Sequence, residues 1–161
     1  MKEILNERPQ QVVISRTPAN WIVTVNLNIE EVEGGFICDS HSVAVDHKPE
    51  NSDIRAAIIS SINANTDQKI LTGLVWRGKP VWLSLENQFN FKADYDLAVQ
   101  NGGETLPVRF KLGEDANGLP VYHTFTDLEE FTDFITSVNN FRNQALNDGW
   151  NEKDGIDMEP L

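Results

Sequence analysis

The chain has a single cysteine, Cys38. No intrachain disulfide can form, and a reducing compartment is the expected setting. Basic residues are scarce too: 13 Lys and Arg stand against 25 Asp and Glu, a formal charge of −12. That balance repels a phosphate backbone and excludes nucleic acid as an expected partner. The carboxylates are scattered along the chain, so they read as a solvating surface rather than a mimic of nucleic acid. No apolar run reaches the length of a membrane span. The opening residues, MKEILNERPQQ, lack the apolar core and cleavage site of a signal peptide. A membrane partner is therefore not expected. A glycine-rich phosphate loop is missing as well, because Gly102-Gly103 follows a helical pattern instead of leading from a strand into a helix.

What is present suits an ordinary folded domain. At 161 residues the chain can bury roughly two-thirds of its unfolded surface, so it needs no covalent staple. Residues 1–19 are a polar arm with one short apolar run, Val12-Val13-Ile14, which either completes this chain's own sheet or adds to a partner's edge. Trp21, Val23, Val25, Leu27 and Ile29 then alternate with polar residues. That period of two predicts a strand with these five buried and Asn26 and Asn28 exposed. Gly34-Gly35 marks a turn, with Phe36 to Val45 as the returning strand.

A helix is predicted from Ser52 as its cap, with Ile54, Ala57, Ile58 and Ile62 on one face. A second hairpin runs from Ile70 to Leu85 about Arg77-Gly78-Lys79, followed by a helix over Gln88–Gln100. The third hairpin pairs Leu106–Leu112 with Pro120–Phe125. Thr126-Asp-Leu-Glu129 then reads as a capping box opening a helix that stops near Asp148-Gly149. Its expected core face holds Leu128, Phe131, Ile135, Val138, Phe141 or Arg142, and Ala145.

The expectation is an α+β fold of antiparallel hairpins packed against about three helices, in ββα units over 20–65, 69–101 and 105–148. Together these make one domain over 20–148, with an acidic tail at 149–161 anchored by Trp150 and Ile156. Pro80-Val-Trp-Leu-Ser-Leu-Glu-Asn and Pro120-Val-Tyr-His-Thr-Phe-Thr-Asp match in character, with Phe91 and Phe131 at the same offset. Either a unit was duplicated, or any strand entering a capped helix needs such residues.

Few residues suggest chemistry. Asp39, His41, Asp46 and His47 could suit a divalent metal if folding gathered them, but no motif spacing supports a closed ligand set. His123 lacks a partner that the sequence can name. Cys38, beside Asp39, reads as a small core residue. Glu129, Glu130 and Asp133 fit the positive end of a helix. Trp76, Trp82, Phe89, Phe91, Tyr95 and Phe110 could form a stacking platform, but most fall on predicted inner faces. The sequence thus nominates no catalytic, cofactor-binding or metal-binding residue, and no cofactor.

From Gly34 to about Asp157 the chain resembles a small domain of unknown function found in bacteriophage tail-fibre-type proteins and prophage regions. The carrying residues are Gly35-Phe-Ile-Cys-Asp-Ser-His-Ser-Val-Ala-Val-Asp46, a helix at Ser52–Ala64, and Trp76 with Pro80-Val-Trp-Leu-Ser84. The stretch from Glu86-Asn-Gln-Phe-Asn-Phe to Leu97, through Leu106-Pro-Val-Arg-Phe-Lys111, is similar to forms in gut Bacteroidetes. The resemblance implies a non-enzymatic tail-associated structural or assembly protein, stand-alone because no repetitive fibre segment is present. Its implied partners are other tail or virion proteins or a second copy. Its implied location is the cytoplasm of a bacterial host or the virion. The reading from another class is a small-ligand or carbohydrate-binding module that uses exposed aromatics.

Overall fold

A computed structural model describes residues 4–156. Its elements, in order, are β1 (Val12–Arg16), β2 (Trp21–Val32), β3 (Gly35–Val45), α1 (Asn51–Thr72), β4 (Leu74–Trp76), β5 (Lys79–Val81), α2 (Leu85–Gln100), β6 (Val108–Glu114), β7 (Pro120–Phe125) and α3 (Leu128–Asp154). This is an α+β fold of three helices with antiparallel sheets of two or three strands. The chain forms two compact units, one of residues up to Asn65 together with those from Gly149 on, the other Thr66–Asp148.

In the first unit the strand order is β1-β2-β3. The Val12-Val13-Ile14 run completes this chain's own sheet, with Val12 opposite Val25 and Ile14 opposite Val23. Val23, Val25 and Leu27 are buried against Ile54, Ala57, Ile58 and Ile62 of α1, so the strand and helix periods agree on one core. The alternation stops after Leu27. Asn28 has φ of 51°, and the register shifts between Leu27 and Glu30. This bulge places Glu30, opposite Ile37, on the face of Leu27 and Asp39. Ile29 leaves the buried row and is half-exposed. Asparagine suits the bulge because its short polar side chain tolerates the left-handed region.

Trp21 is also only half-buried, with the Arg16 guanidinium 5.4 Å from its ring centre. Asn26 corrects the expectation in the other direction: it is only 6% exposed. Its Nδ2 donates to the Gln10 carbonyl at 2.7 Å, and its Oδ1 accepts from Ser40 Oγ at 2.7 Å. The arm therefore crosses the sheet's polar face there, and a reciprocal Leu5–Phe36 backbone pair fixes it at β3.

In the second unit, Arg77 and Gly78 both take positive φ, 48° and 76°. That is the two-residue turn whose twist matches the strands it joins. The hairpin is shorter than expected because Ile70 belongs to α1, which runs to Thr72. The core gathers Trp76, Phe91, Phe125, Phe131 and Phe134 with Val81, Leu83 and Leu112. Phe125 and Phe131 are stacked at 4.5 Å. Ser84 caps α2, its Oγ accepting from the Asn87 N–H, so the helix starts earlier than Gln88.

In α3 the cap is Asp127 rather than Thr126, since the Glu130 N–H donates to Asp127 Oδ1 at 2.8 Å. The helix runs through Gly149, which is buried, to Asp154. Packing there outweighs the roughly 1 kcal/mol helix cost of glycine. Hairpin followed by helix recurs three times in the chain. The likeness of Pro80–Phe91 to Pro120–Phe131 stops at Leu85 and Phe125. Leu85 opens a helix and is exposed, whereas Phe125 ends a strand inside the core.

Candidate functional site

The four residues considered for a metal do not converge. Asp39 and His41 share one face of β3, where Asp39 Oδ2 accepts from Asn28 Nδ2 and His41 lies 3.5 Å from Ser60 Oγ. Asp46 and His47 follow the strand end. His47 Nδ1 is 2.9 Å from Asp46 Oδ1, and its Nε2 is 3.1 Å from Asp53 Oδ2. Asp53 also accepts the Glu50 N–H at 2.8 Å, so the group is a clip on the start of α1. The His47 pKa is held above its ordinary value, first by the hydrogen bond with Asp46 and then by that with Asp53. Asp53 is held low, first by the Glu50 N–H and then by His47. Among the described residues no three His, Cys, Asp or Glu side chains are placed to hold a metal ion.

His123 has the partner that the sequence could not name. Its Nε2 lies 3.1 Å from Glu130 Oε1, an ion-pair distance without hydrogen-bond alignment. Its Nδ1 is 2.7 Å from Lys79 Nζ. An ammonium donating to Nδ1 leaves that nitrogen no role as a base. The chain of contacts continues as Arg77 joins Glu130 at 2.9 Å and Asp133 at 3.1 Å, and Trp76 Nε1 donates to Asp133 at 3.0 Å. Glu130 and Asp133 thus anchor the β4–β5 turn to the first turns of α3. Beside it is an open acidic hollow of about 420 Å³.

Cys38 is half-buried on the polar sheet face, with Sγ 3.4 Å from Ser40 Oγ and 3.8 Å from Asn26 Oδ1, rather than in the core.

The six aromatics do not make a platform. Trp76 and Phe91 are buried, and Trp82, Tyr95 and Phe110 are half-buried. Phe89 is the exception at 73% exposed. It belongs to a row on α2 spaced four residues apart: Leu85 (85% exposed), Phe89, Ala93 and Leu97 (49%). Only Phe91 and Ala98 of this helix are buried. An apolar groove of about 410 Å³ begins at Leu85 and is walled by α1, the start of α2 and α3. The spacing of this row is legible in the sequence, but its exposure is not, because an apolar helical stripe ordinarily faces the core. Comparison with protein-family models, curated proteins and solved structures finds no match to this chain.

Proposed function

We propose that this chain is a non-enzymatic structural or assembly protein of a phage or prophage tail, docking onto another tail protein through α2. The observation that carries this reading is the exposed row Leu85, Phe89, Ala93 and Leu97. Ridges spaced four residues apart are what one helix lays into the groove of another. Covering each large side chain of the row would contribute roughly 1.5–3 kcal/mol. The N-terminal arm is a poorer docking element, since Leu5, Gln10 and β1 are engaged within the chain itself. The tail setting comes from the sequence resemblance. The non-enzymatic part is supported by His123, which is held between an ammonium and a carboxylate.

The test is co-expression with the neighbouring genes, comparing the wild-type chain with a Phe89→Glu, Leu97→Glu variant. The wild type should co-purify with a tail component and the variant should emerge alone, with unchanged circular dichroism. Equal recovery of the component with both would remove α2 from the proposal.

A further inference from the structure

Among the described residues Arg142 is a partly buried cation of the second unit with no carboxylate at ion-pair distance and no ring beneath it. Lys69, Arg77, Lys92 and Lys111 each hold one, at 2.6 to 3.1 Å. Lys79 meets His123, and Arg109 stacks on Tyr122 with its guanidinium 4.3 Å from the ring centre. Among the described residues Arg142 makes one long hydrogen bond, 3.4 Å to the neutral Gln88 Oε1. Partial removal of a charge from water is costly unless an opposite charge replaces the lost hydration. In a chain with 25 acidic residues, a half-buried guanidinium whose hydrogen bond goes to a neutral amide is a charge that a bound anion would offset.

Arg142 lines the groove of about 410 Å³, a volume within the range of small-ligand sites. Ile70 and Leu71 of α1, Leu83 and Leu85 at the entry to α2, and Leu146 of α3 supply aliphatic walls. The groove's neutral polar groups are already engaged. Gln88 Nε2 donates to the Leu83 carbonyl at 2.7 Å, and Ser84 Oγ accepts the α2 capping bond. That leaves two charged groups: Arg142 on α3 and Asp67 on α1. A guanidinium offers a planar fork of donors that fits a carboxylate with two parallel bonds.

We infer that this groove binds a free aliphatic carboxylic acid, its chain among the leucines and its carboxylate on Arg142. Asp67, on the opposite helix, repels an anion and sets the direction in which the chain lies. The groove shares Leu85 with the docking row, but Phe89 and Leu97 are not part of its lining, so the Phe89→Glu, Leu97→Glu variant tests docking without touching the groove.

Octanoate is the probe, titrated into the full chain by calorimetry and followed by methyl NMR. Octanoate should shift the methyls of Leu71, Leu83 and Leu146 and bind about tenfold or more tightly than octanol or octylamine, as expected for a charge-assisted pair. Arg142→Gln should erase that preference, Arg142→Lys should keep part of it, and Asp67→Asn should tighten octanoate binding. Equal binding of octanoate and octanol, unshifted methyls, or an unchanged preference in Arg142→Gln would overturn the inference. Tighter binding of acetyl-Leu-Leu with a free C-terminus would also overturn it, assigning the groove to a peptide end.

Discussion

Asn26 donates to the Gln10 carbonyl and accepts from Ser40 Oγ, so its removal strands two groups at once. Asn26→Ala should cost about 1–3 kcal/mol, the usual consequence of leaving buried polar groups unpaired. Urea unfolding measures this, and faster exchange of the Leu5 amide would show the arm lifting. His47 makes a pH-dependent contribution. Its pKa is raised from 6.5, first by the hydrogen bond with Asp46 and then by Asp53. The stabilisation is therefore complete below about 6.5 and is lost as pH rises through the folded-state value. Asp53 is lowered from 3.8, first by the Glu50 N–H, so its contribution is complete above 3.8 and is lost as pH falls through its folded value. Both act in full between those limits. His47→Gln should flatten the alkaline side of a plot of urea midpoint against pH, and NMR titration should place the wild-type imidazole above 6.5.

At the scale of elements, the start of α3 separates two readings of one motif. Asp127→Ala should cost about 0.5–2 kcal/mol, whereas Thr126→Ala should cost far less, because Asp127 Oδ1 is the acceptor of the Glu130 N–H. Thermal unfolding of the two variants decides between them. The end of α1 is set by Gly73. A methyl there would fall 2.5 Å from the Lys69 carbonyl oxygen and 2.9 Å from Phe141 Cζ. Gly73→Ala should destabilise by about 1–3 kcal/mol, the range for overpacking a filled site, and a fall in melting temperature checks it. The β2 bulge belongs to this scale too. Alternation predicted the Val23-Val25-Leu27 row correctly, but one left-handed residue at Asn28 reversed the faces beyond it.

For the molecule as a whole, a charge of −12 makes self-repulsion a general term that salt screens within about 10 Å at 0.1 M. Moderate salt should therefore raise the melting temperature, and should also raise recovery of any complex formed through the apolar α2 row. The Phe89→Glu, Leu97→Glu variant should unfold within about 0.5 kcal/mol of wild type, as exposed substitutions do, separating loss of docking from loss of fold.

The sequence alone determined the α+β class, the three hairpin-helix successions and most of the two cores, because periods of two and near four, glycine turns and capping residues are local signals. It also carried Phe131, Val138 and Ala145 onto the buried face of α3. Its local signals did not extend to Phe134, which completes the ring cluster. Nor did they extend to the pairing of His123 with Glu130, which depends on where β7 meets the first turn of α3. The α2 row was legible as a stripe, yet only tertiary packing decided that it faces water, since Phe91 and Ala98 take the core side. Arg142 looked like one more residue of a helical face until the fold set it in a largely aliphatic groove, its hydrogen bond going to the neutral Gln88. A pattern along the chain gives which residues share a face. What that face meets is fixed by elements distant in sequence, because burial and charge pairing are properties of the assembled packing.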